Sequence, residues 1–144
     1  MNSTSYNHRW IVTLPWCIYN FSILLFQDSG IKVEKSTIEK MGLMKEIKKS
    51  PYDLLIMDIQ QIPGSTGTGT KSAPEHVTIT KEWAAGECEK ECEGKDIGNL
   101  PANFYVFREY IRTNLPDKCC MALLYIKYTN AEQSVQEKLL AVNW

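Results

Sequence analysis

The sequence predicts an α/β protein built on a short parallel sheet, and three observations lead there. Pro51-Tyr52-Asp53-Leu54-Leu55-Ile56-Met57-Asp58-Ile59 sets an apolar run between two carboxylates, with a proline before it and a Gly/Pro/Thr-rich segment after it. A short apolar run bounded by breakers reads as a strand buried on both faces, the kind that parallel sheets contain. Upstream, Ser36 to Lys49 carries Ile38, Met41, Met44 and Ile47 on one helical face, with Ser36 and Glu39 spaced as a capping box. Before that helix, Ile31-Lys32-Val33 predicts a short strand, with Gly30 as the stop of a preceding helix. A helix feeding a buried strand is half of a βαβ unit, and its crossover is expected to be right-handed.

Taken in order, the chain predicts strand 10–14, helix 16–28, strand 31–34, helix 37–49 and strand 53–59. In the first helix Pro15 marks the start, and Ile18, Phe21 and Leu25 share one face. The apolar stretch Trp10 to Phe26 follows His8-Arg9 as a signal segment would. It contains Pro15, lacks a small-x-small cleavage site and is short for a membrane span, so the core reading explains more of it. Residues 61–100 are expected to be an irregular insertion, with a small strand at His76–Thr80 and an acid-rich solvated turn or two within Glu82–Lys95. After it come helix 102–114, strand 119–126 and helix 130–140. In that last helix Asn130 serves as cap, Gln133 stands three residues on, and Val135 and Leu139 face inward. Phe104, Phe107 and Ile111 form the core stripe of the 102–114 helix, which leaves Tyr105 and Tyr125 as surface contacts.

The segment from Gly30 through Asp58 resembles the second strand, second helix and third strand of two-component receiver domains, and PYDLLIMDI is similar to that family's phospho-accepting strand. Pro101 to Arg112 resembles the third helix, and Pro116-Asp117 with Cys119 to Tyr125 resembles the approach to the fourth strand and the strand itself. The resemblance implies a flavodoxin-like, CheY-like three-layer sandwich with a long insertion after the third strand and the fifth strand and helix missing or rudimentary. It implies Asp58 as the phospho-acceptor, at the carboxyl end of its strand where open α/β sheets place ligands. It also implies a Mg2+ ion held by Asp58 and the backbone carbonyl of Gln60. The sequence departs from the family at three places. Thr13 and Leu14 stand where receivers carry the acidic pair, and neither offers a charged oxygen to a hard cation. Leu124 or Tyr125 stands at the Ser/Thr position, and the strand-five lysine has no counterpart. The resemblance therefore implies a pseudo-receiver in which Asp58 alone survives.

Composition narrows the function classes. The chain has 144 residues, enough for a single domain. A formal charge of −1 without a basic run argues against nucleic acid as a partner. Five cysteines without framework spacing fit a reduced, cytoplasmic setting. Cys88 and Cys92 could present two thiolates on one helical face, but zinc needs four ligands and His76 is distant. Gly64-Ser65-Thr66-Gly67-Thr68-Gly69-Thr70-Lys71-Ser72 is one residue from a phosphate-binding loop, with Thr70 between the glycine and the lysine. Its plain reading is a flexible linker.

No nucleophile–base set suggests itself, so an enzyme is not the favoured class. The expectation is a receiver-like signal-transduction module acting by protein–protein interaction. Its partner would be a histidine kinase, an output protein or a second copy of itself as a homodimer, with no membrane and no nucleic acid. The alternatives are a functional phosphoryl-accepting response regulator, and a nucleotide binder using residues 64–72.

Overall fold

A computed structural model describes residues 11–13, 31–46, 49–69, 73–118 and 120–143. Among these residues six strands, β1 (Ile11–Thr13), β2 (Lys32–Val33), β3 (Tyr52–Gln61), β4 (Glu75–Ala84), β5 (Met121–Thr129) and β6 (Val135–Asn143), form one sheet in the order β1-β6-β5-β3-β4-β2. Among the described residues three helices accompany them: α1 (Lys35–Leu43), α2 (Glu87–Cys92) and α3 (Ala102–Asn114). Every neighbouring pair is antiparallel except β2 with β4.

The parallel, CheY-like sandwich expected from the sequence is therefore not the fold. The run Leu54–Met57 is indeed buried on both faces, but its neighbours β4 and β5 both run against it. Helices on each face bury an antiparallel centre as fully as a parallel one. One face sets Leu54, Ile56, Ala122, Leu124 and Val142 against Val106, Phe107 and Ile111 of α3 and Cys88 and Cys92 of α2. The other gathers Leu55, Met57, Val77, Leu123, Tyr125 and Leu139 around Met44, which follows α1.

Residues expected to be an irregular insertion build the core of the sheet. The strand anticipated at His76–Thr80 extends over Glu75–Ala84 and pairs with β3 along nearly its whole length. Its edge residue Trp83 is buried, packs edge-on against Tyr110 at 5.2 Å and donates from Nε1 to Glu91.

The expected C-terminal helix 130–140 is also a strand. Asn130 caps a hairpin turn instead of a helix. Its Oδ1 accepts from the N–H groups of Glu132 and Ser134, its own N–H donates to the Ser134 carbonyl, and Gln133 takes φ 64° to close the loop. Asparagine side chains mimic a backbone acceptor in this way, which suits turns as well as helix caps. β6 then pairs with β5 from Val135 to Asn143, so the sheet has the further strand that the receiver resemblance left out.

α1 is shorter than the predicted 37–49 and is rotated from the predicted face. It starts after Glu34, with no side-chain capping bond, so Ser36 and Glu39 form no capping box. Thr37, Met41 and Met44 turn inward, while Ile38 is 47% exposed. Glu34 fixes this rotation: its N–H donates to the Val77 carbonyl and its carboxylate accepts from the Thr78 hydroxyl. The Thr78 bond is the main reason that the Glu34 carboxyl lies below the ordinary glutamate range. Helix 102–114 matches its expected span, with Val106, Phe107 and Ile111 buried and Phe104 packed half-buried beside them. Tyr125, expected at the surface, is 7% exposed. The expected helix 16–28 and Gly30 lie outside the described residues. No helix among the described residues is long and apolar enough to cross a membrane.

Phe107 is fully buried between α3 and the sheet. Phe107→Ala is expected to lower the unfolding free energy by about 3–5 kcal/mol, and Val135→Ala by no more than about 0.5 kcal/mol. Urea titration of the two variants, with the slope checked for constancy, measures the difference.

Candidate functional site

The structure does not bring the receiver-type residues together. Asp58 lies inside β3 instead of at its end, opposite Thr78, and its Oδ1 accepts from the N–H of Ile59 at 2.7 Å. Gln60 continues the same ladder opposite His76. Thr13, in β1, is separated from β3 by β6 and β5, and Leu14 lies outside the described residues. Leu124 pairs with Leu54, at the other end of β3 from Asp58. Among the described residues no three His, Cys, Asp or Glu side chains gather as a set of metal donors.

The Gly64–Gly69 stretch of the phosphate-loop-like segment leaves β3, and the next element after the segment is β4. A phosphate loop needs a helix there, whose first N–H groups meet the anion. Lys71 and Ser72 lie outside the described residues. Cys88 and Cys92 are free thiols that α2 turns into the core, not toward a ligand. Burial holds both thiols above the ordinary cysteine range, so they stay protonated.

The side chains that do converge lie at the opposite end of the sheet. The β3–β5 ladder runs only from Leu54–Leu124 to Met57–Met121. Just beyond it β3 bulges: Tyr52 pairs with Ala84 and Leu54 with Trp83, so Asp53 is the extra residue. Asn103, in the first turn of α3, occupies the place of the next ladder bonds. Its amide donates to the carbonyl of Tyr125 at 2.7 Å and to that of Asp53 at 3.4 Å. The two strands therefore splay around one side chain. The β5–β6 hairpin continues past this point with partners on each other alone among the described residues.

The splay opens a cleft of about 830 Å³ between β3, the β5–β6 hairpin and the starts of α2 and α3. Its polar wall carries Asp53, Glu89, Glu137 and Lys127, and its rim carries Pro101, Ala102 and Val135. Lys127 pairs with Glu137 at 3.7 Å. The Asp53 carboxylate accepts from the N–H of Gly86 at 2.9 Å, where φ of 83° at Gly86 turns the chain into α2. Burial lifts the Asp53 carboxyl above the ordinary aspartate value. The Gly86 and Cys88 N–H groups and Lys127 oppose that shift, and the Glu89 carboxylate adds to it.

Tyr125 completes the floor. Its hydroxyl is buried and makes no hydrogen bond of proper geometry. Ser50 is close enough to lower its pKa in part, against the larger upward push of burial. The Ser50 hydroxyl is itself committed to Tyr52, donating to its carbonyl at 2.8 Å and accepting from its N–H at 3.2 Å.

Sequence reasoning missed this site because its members come from five separate elements. One signal was available: Asp53 and Asp58 flank the same buried run, and only the first follows a proline and a serine that favour a bend.

Asp53 titrates with a folded-state pKa above its unfolded value, so the folded chain holds that proton to higher pH. Its contribution to stability is present at acid pH and is lost as pH rises from about 4 through the raised value. The Tm of Asp53→Asn minus that of the wild type is therefore expected to increase between about pH 4 and pH 7, read by differential scanning calorimetry in matched buffers. A difference that stays flat or falls contradicts the assignment. No protein family, curated protein or solved structure matches this chain.

Proposed function

We propose that this chain is a non-catalytic binding module that engages a protein partner at the cleft beside Asn103. The observation that carries this reading is the interrupted β3–β5 ladder. It leaves β5 beyond Tyr125 with strand partners on the β6 side alone among the described residues, next to an open volume. A strand edge of this kind accepts an extended segment through main-chain hydrogen bonds, with neighbouring pockets reading its side chains. The rim supports the same reading: Val135 is 68% exposed, beside Pro101 and Ala102. Exposed apolar residues grouped together mark protein contact sites. On this reading the interaction role expected from the sequence belongs to the end of the sheet away from Asp58.

A reducing, cytoplasmic compartment belongs to the same proposal. Cys88 and Cys92 are free and buried, as thiols behave when they serve as small hydrophobes.

A photo-crosslinking amino acid placed at Val135 and, as control, at Glu39 on the exposed face of α1 tests the reading in cells. A discrete adduct from position 135 alone is expected. The same partner, once purified, is expected to slow amide exchange at Gly86, Asn103 and Gln136. Equal adducts from both positions, or no protection of the cleft, would remove the proposal.

A further inference from the structure

We infer that the cleft receives the basic side chain, arginine or lysine, of an extended segment of the partner. This rests on the reading of the cleft as a protein-binding surface. Asp53 and Glu89 stand on one wall and take part in none of the described salt bridges, whereas Lys127 is already engaged by Glu137. The lining thus carries three carboxylates against one ammonium, an excess of negative charge. The N–H groups of Gly86 and Cys88 occupy acceptor positions of the Asp53 carboxylate, and an ionised carboxylate offers about four such positions.

The splayed edge of β5 is a second and independent sign, since beyond Tyr125 its strand partners among the described residues are on the β6 side alone, which leaves main-chain groups for an extended segment. The ionised carboxylates of the wall can only accept. A guanidinium or ammonium carries only donors and matches a wall made of acceptors. The aliphatic stem of such a side chain would lie on Pro101, Ala102 and Val135, with its charge at the acidic wall. A phosphate or an acidic peptide would meet repulsion instead.

The test is a titration of the ¹⁵N-labelled full chain with three blocked pentapeptides, Gly-Gly-X-Gly-Gly, in which X is arginine, lysine or citrulline. Citrulline keeps the shape of arginine and removes its charge. Arginine and lysine peptides are expected to shift the amides of Gly86, Asn103 and Gln136, and the citrulline peptide to bind about tenfold more weakly or worse. Glu89→Gln, on an exposed helical position, and Asp53→Asn are each expected to weaken the arginine peptide several-fold, while the spectrum keeps its dispersion. Equal binding of arginine and citrulline, shifts that map away from the cleft, or no shift at millimolar peptide would overturn the inference. If a cross-linked partner still protects the cleft while basic peptides leave it unmoved, the inference falls and the binding role stands. If the partner itself does not map there, that role falls with it.

Discussion

Four consecutive residues with no room for water on either side, Leu54 to Met57, set the constraint on which the rest of this molecule depends. A strand buried on one face needs one covering layer, whereas a strand buried on both needs two. That requirement places α2 and α3 over Leu54 and Ile56, and α1 with Met44 over Leu55 and Met57. Each of these apolar side chains gains roughly 1.5–3 kcal/mol by leaving water. The strand is also hydrogen-bonded on both sides, by β4 and β5, so its backbone polar groups are met in the ladder instead of by water.

That rigid centre explains why the irregular features gather at its end. Where the buried run stops, the ladder to β5 stops as well, and the chain meets its remaining backbone acceptors by other means. Asn103 bridges two carbonyls, and Asp53 bulges out to take the N–H that starts α2. The bulge and the amide bridge are two halves of one adjustment: a strand that must leave the sheet without stranding polar groups. The cleft is the space that this adjustment leaves, and the bulged Asp53 joins Glu89 and Glu137 in its acidic wall.

How much of this was legible in the sequence follows from what each signal measures. The apolar run at 54–57 reports burial, and burial was read correctly. It does not report the direction of neighbouring strands, and from that gap came the parallel sheet and the receiver resemblance. Helix 102–114 was legible because its apolar residues repeat with a helical period and Pro101 fixes its start. β6 was misread for the opposite reason. Its first four residues are exposed on both faces, so Gln136, Glu137 and Lys138 show no strand alternation, and Val135 and Leu139 fall by accident at helical spacing. β4 was half seen, since His76–Thr80 is β-like but Lys81-Glu82 looks solvated. Those two are exposed although they pair with Ile56 and Leu55 of the buried run, and the chain buries Trp83 beyond them. The cleft was not legible, since Asp53, Asn103 and Tyr125 are far apart in sequence and meet only through the sheet.

The β5–β6 hairpin has its own dynamic consequence. Its inner half, Met121–Leu124 with Leu140–Asn143, is clamped by β3 on one flank and in part by β1 on the other. Its outer half, from Tyr128 and Thr129 around Asn130 to Lys138, is fastened mainly by its own rungs and the Asn130 turn. Segments with few buried contacts open at a fraction of the global unfolding cost. The hairpin tip beyond Tyr125 is therefore the least secured part of the β5–β6 pair, while the covered centre is held on both faces. In the proposed binding role, a segment entering the cleft would meet this less secured tip, not the covered centre.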